Sequence, residues 1–74
     1  RVLCLLQSRD PRLSLHDFRM IRGKRHINLV FDVVIPLSLE PKKEEIRAFL
    51  EDTLNAEGEI TYHVIATFDT AEFN

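Results

Sequence analysis

HDFRMIRGKRHINLVFDVVIP, His16 to Pro36, reads as two strands joined by a tight turn. Ser14–Ile21 carries Leu15, Phe18, Met20 and Ile21, and Arg22-Gly23-Lys24-Arg25 is polar with a glycine in it. Ile27–Ile35 is almost wholly β-branched or aromatic. Apolar runs separated by a short Gly-containing loop predict a β-hairpin. Pro36 has no N–H to give to a ladder, so the second strand is expected to stop there.

Side chains alternate across a strand, so the second run sorts into faces. Ile27, Leu29, Phe31, Val33 and Ile35 make one face, and Asn28, Val30, Asp32 and Val34 make the other. The first must be the core face, because a slip of one residue would expose all of it. Asp32 is thereby placed on the outer face, an acid among valines that needs a partner.

The flanking chain supplies the remaining elements. Arg1–Ser8 has no β-branched residue after Val2 and reads as the last turns of a helix, ended by Asp10-Pro11, since the residue before proline is driven out of the α region. Cys4 is expected to be a buried helix residue, as free cysteines usually are. After the hairpin, Leu37–Pro41 reads as a short link, and a helix is expected from about Pro41. Glu44 and Glu45 suit its N-terminal dipole. Ile46, Phe49, Leu50, Thr53 and Leu54 follow the spacing of one buried stripe, and Asn55 or Gly58 ends the helix. Thr61–Phe68 alternates again, with Tyr62, Val64, Ala66 and Phe68 inward and Thr61, His63, Ile65, Thr67 and Asp69 outward. Thr70–Asn74 is expected to be a fraying tail.

The order α-β-β-α-β predicts an α+β fold in two layers, both helices on one face of a three-stranded sheet, with a right-handed crossover before the last strand. Val30, Val34 and Ile65 are then left on an uncovered face, and homodimerisation through them is the expected remedy.

Composition narrows the function classes. The 74 residues make one small domain, and 45% apolar with 30% charged residues is the balance of a folded, soluble one. No apolar run reaches the roughly 18 residues of a membrane span. The chain starts at Arg1, which is expected of a piece of something longer. The single cysteine excludes an internal disulfide and a CxxC zinc knuckle. The net charge of −2 conceals a basic stretch, Arg9, Arg12, Arg19, Arg22, Lys24 and Arg25, against Asp10 and Asp17. Such a tip suits an anionic partner or is a solvated turn. Gly-rich phosphate loops, nucleophile elbows and an RNA-binding aromatic motif are all absent from the sequence, so neither an enzyme nor a nucleic-acid binder is expected. The remaining chemistry lies in His16, Asp17, His26, Asp32, Glu44, Glu45, His63 and Asp69, a mixed nitrogen and oxygen set that suits zinc, manganese, cobalt or iron.

His16-Asp17-Phe18-Arg19-Met20, followed by a Gly-containing turn and a hydrophobic strand, resembles the C-terminal cytoplasmic domain of cation diffusion facilitator transporters. The likeness covers nearly all of the chain through its element order. It implies a ferredoxin-like, metallochaperone-like fold that homodimerises at the cytoplasmic face of a cell membrane, below the transmembrane domain of the same chain. The parent would be an integral membrane transporter exporting divalent metal. The resemblance maps a ligand onto His16, a second onto Asp32 and a third onto Asp69, with Glu45 as a helix contribution. Histidines usual in the family are missing at Asp32, in the helix at Glu44 and Glu45, and in the last strand at Thr67-Phe68-Asp69. One imidazole with several carboxylates is a harder donor set, which favours manganese or iron more than a multi-His site does, or holds zinc weakly. Zinc or manganese is expected ahead of iron or cobalt. Dimerisation without a metal site and a free-standing ferredoxin-like carrier module are the competing readings.

Overall fold

The computed structural model describes residues 1–56 and 58–71. In chain order these form α1 (Val2–Arg9), β1 (Ser14–Arg22), β2 (His26–Pro36), a 3-10 helix (Leu37–Lys42), α2 (Lys43–Asn55) and β3 (Thr61–Ala71). The sheet order is β1-β2-β3, with β1 antiparallel and β3 parallel to β2. A parallel neighbour requires a crossover, and the 3-10 helix and α2 provide it. The α-β-β-α-β order and mixed three-stranded sheet are those of a ferredoxin-like α+β sandwich.

The core follows the alternation of β2. Ile27, Leu29, Phe31, Val33 and Ile35 are buried, while Asn28, Val30, Asp32 and Val34 are half-buried. Ile46 and Leu50 of α2, Leu6 of α1, Leu13 and Val64 close the core from the helix side. Each large side chain buried here contributes about 1.5–3 kcal/mol relative to exposure. The α2 stripe is as the spacing predicts: Phe49, Thr53 and Leu54 flank the two buried residues and are half-buried.

Several boundaries differ from the sequence expectation, each for a local reason. The link after β2 is a 3-10 helix with Pro41 inside it, and α2 begins at Lys43 rather than near Pro41. Proline keeps a helical φ but brings no N–H, so it serves the tight 3-10 segment ahead of the α-helix. Thr70 and Ala71 are not tail: they continue β3, paired with Ile35 and Pro36. The rest of the expected tail, residues 72–74, lies outside the described residues. The hairpin loop is Gly23-Lys24-Arg25, one residue shorter than expected, and closes with the Gly23 N–H donating to the His26 carbonyl at 2.8 Å. Cys4 is exposed, not buried. Leu6 is the fully buried residue of α1, and Cys4, two residues earlier, lies about 200° around the helix from it.

β1 contains a bulge that alternation did not predict. The register runs His16 opposite Asp32, then Arg19 opposite Val30, so Asp17 and Phe18 share Phe31 between them. Asp17 takes φ 55°, the left-handed region that aspartate tolerates better than most residues. The extra residue reverses the faces, turning Phe18 inward to stack on Phe31 at 5.7 Å between ring centroids. Leu15, Phe18 and Met20 then share the inner face, while His16, Arg19 and Ile21 share the outer one.

β3 is an edge strand, and α2 closes part of that edge with its own side chains. Asn55 Nδ2 donates to the Tyr62 carbonyl at 2.9 Å, and the Tyr62 N–H donates to Asn55 Oδ1 at 2.6 Å. The Val64 N–H donates to Glu51 Oε2 at 2.9 Å, and Arg47 Nη1 donates to the Val64 carbonyl at 3.3 Å. Residues 47, 51 and 55 are spaced by one helical turn each, which keeps all three side chains along one line. An edge occupied in this way is poor at pairing with a foreign strand.

Candidate functional site on the uncovered sheet face

The strand registers determine which side chains share the outer face. Ile21, Asn28 and His63 lie in one row, Arg19, Val30 and Ile65 in the next, then His16, Asp32 and Thr67, then Ser14, Val34 and Asp69. No described helix packs on this side, since both helices cover the opposite face. Ile21 is 56% exposed and Ile65 49%, far more than a side chain under a second layer would be. Val30 and Val34 are half-buried between their neighbours. The surface is therefore an apolar strip crossed by polar positions, with His63 in the first of these rows and His16 in the third.

The bulge sets the chemistry of the third row. Pairing with the Asp32 Cα brings His16 directly across from the acid, at the roughly 4.5–5.5 Å Cα separation of antiparallel partners. Asp17, Phe18, Arg19 and Asp32 surround a shallow cavity of about 410 Å³ beside this pair. Asp69 does not join the row: it stands one row further along, beside Val34. Glu45 is placed elsewhere altogether. It lies on α2 in the helix layer, where its Oε1 accepts from Arg9 Nη2 at 3.0 Å. Glu44 is likewise on α2 and accepts from Arg47, whose hydrogen bond holds its carboxyl below the usual range. The expected set of His16, Asp32, Asp69 and Glu45 is thus split between the two sides of the sheet. Among the described residues no group of three or more His, Cys, Asp or Glu side chains is placed to hold one metal ion. Arg19 makes no ion pair with Asp32 among the described residues, although both line the same cavity.

A second pair was not foreseen. His26, which opens β2, and His63, expected on the outward side of the last strand, have ring centroids 5.8 Å apart at an interplanar angle of 69°. Each lies on the outer face by alternation, yet only the parallel register, with Thr61 beside His26 and His63 beside Asn28, makes them diagonal neighbours. That register was not available from either strand's own pattern.

The helix side carries a different feature. α1 spans about 12 Å and covers only one end of β1. Phe18 and Met20 are consequently 40% and 50% exposed although they face inward, and with Val2, Leu3, Leu29 and Tyr62 they line an apolar cavity of about 400 Å³. No helix among the described residues is long and apolar enough to cross a membrane. No known family model, curated protein or solved structure matches this chain.

Proposed function

We propose that this chain is the cytoplasmic regulatory and dimerisation domain of a divalent metal cation efflux transporter of the cation diffusion facilitator type, with no catalytic role. One observation carries the reading: His16 and Asp32 meet as direct cross-strand partners on the sheet face that no described helix covers. Those are the first two positions of the ligand set that the resemblance implies. The α-β-β-α-β order supports it, being the order of that domain. A second copy of the chain is the occupant proposed for the outer face. It would cover Val30, Val34 and Ile65, and the blocked stretch of the β3 edge at Tyr62 and Val64 favours the face over edge-to-edge pairing.

Two donors on one chain are too few for a tight site, so the metal would be held between copies. His16 and Asp32 of each subunit would then be joined by Asp69 from the adjacent row. One imidazole per subunit among carboxylates suits manganese or zinc. Metal bound there neutralises Asp32 at an interface where an unpaired charge would be costly, which is how occupancy would favour the dimer. Sedimentation and thermal melting test this together. The expected result is a dimer at tens of micromolar, a melting temperature raised by Mn²⁺ or Zn²⁺ and restored by chelator, and loss of the metal effect in His16→Ala. Val34→Glu should shift the population towards monomer. A species of 8.7 kDa alone, indifferent to metal, would sink the proposal.

A further inference from the structure

We infer that His26 and His63 form a second, independent metal site, a two-histidine chelate for a borderline transition-metal cation such as Zn²⁺, Ni²⁺ or Cu²⁺. With metal–nitrogen bonds of about 2.0–2.1 Å, an ion shared in tetrahedral geometry puts two imidazole centroids roughly 5 Å apart. The two rings already stand at 5.8 Å, within about 1 Å of that separation. Both residues are exposed, so water fills the remaining coordination positions. Among the described residues neither ring is engaged in a side-chain hydrogen bond or ion pair that the metal would have to break.

The site is partly pre-organised. Both histidines are anchored on paired strands, and the His26 ring lies back over the hairpin loop. A Cβ placed on Gly23 would fall 2.4 Å from His26 Cε1, inside any real contact, so the ring occupies space that only glycine leaves open. Among the described residues, the charges nearest along the chain are Arg22 at the end of β1, Lys24 and Arg25 on the loop, and Glu59 ahead of β3. With only two protein ligands, the affinity is moderate. The histidines must also be neutral to bind, so protons compete with the metal for both rings. His26 lies six residues along β2 from Asp32, about 20 Å, and His63 four, so the pair shares no ligand with the His16–Asp32 site.

The test is titration of the chain carrying Cys4→Ser, which removes the exposed thiol as a competing ligand, with Zn²⁺ and Ni²⁺. Imidazole nitrogen resonances are followed for Zn²⁺ and line broadening for paramagnetic Ni²⁺. His26 and His63 should respond together and saturate at one ion per chain. Affinity should follow the order Ni²⁺ above Co²⁺ above Mn²⁺ that nitrogen ligands impose. His26→Gln and His63→Gln should each weaken binding about tenfold or more, as loss of one of two ligands requires. Gly23→Ala should weaken it by a smaller factor by displacing the His26 ring, with the fold intact because Gly23 has no positive φ to lose. His16→Gln should leave this response unchanged, which separates failure here from failure of the interface site. His63 resonances unmoved by millimolar Zn²⁺, or binding indifferent to His63→Gln, would overturn the inference.

Discussion

Replacing Asn55 by Ala removes the clasp that α2 places on the edge of β3. Its amide both donates to and accepts from the Tyr62 backbone, at 2.9 and 2.6 Å, so two hydrogen bonds disappear at once. A net hydrogen bond is worth about 0.5–1.5 kcal/mol, and a buried group left unsatisfied costs about 1–3. Tyr62 is only half-buried, so water reaches the freed groups and the lower half of the range applies. Alanine also returns a few tenths of a kcal/mol, about 0.5 at most, through its better helix propensity. The expected loss is about 1–1.5 kcal/mol, or roughly 5–10 °C in melting temperature for a domain of this size. Urea unfolding should show the midpoint lowered at unchanged slope. Hydrogen exchange supplies the local readout: the Tyr62 amide should lose more protection than the global destabilisation explains, while the Val64 amide, held by Glu51, should not. A midpoint within about 0.3 kcal/mol of wild type, with Tyr62 protection unchanged, would refute the clasp.

Two further outcomes test the bulge and the α1–β1 corner. Asp17→Gly should be neutral within about 0.5 kcal/mol, whereas Asp17→Val should cost about 1–2 kcal/mol, because φ 55° suits glycine and repels a β-branched side chain; equal stability of the two variants in urea would contradict this. Asp10 is held at about 2, against an ordinary 3.8, first by the Arg12 side chain and then by the Arg12 backbone N–H. A carboxyl depressed in the folded state stabilises fully above its unfolded value and loses that contribution as the pH falls through its folded value. The urea midpoints of wild type and Asp10→Asn should therefore differ above pH 3.8 and converge towards pH 2, and curves running parallel across that window would exclude the Asp10–Arg12 pair as the cause.

What the chain's own pattern determined is whatever a single strand or helix decides locally. Alternation in Ile27–Ile35 assigned the core face of β2, since burying any other set would leave five large apolar side chains in water. The spacing of Ile46 and Leu50 assigned the face of α2, and Asp10-Pro11 its stop signal to α1, where Asp10 is indeed extended at φ −159°. His16 and Asp32 were legible as candidates because each stands out from its own strand. Tertiary structure decided what depends on two elements at once. The bulge at Asp17 exists because Phe18 packs on Phe31, and only that slip faces His16 towards Asp32. Glu45, on α2 in the helix layer, pairs instead with Arg9, 36 residues away along the chain. Cys4 is exposed because Leu6, not Cys4, meets the sheet across from α1. The closeness of His26 and His63 follows from the parallel register of β2 and β3, which is fixed by how far the 3-10 helix and α2 carry the chain before it returns, a length no pattern within either strand encodes.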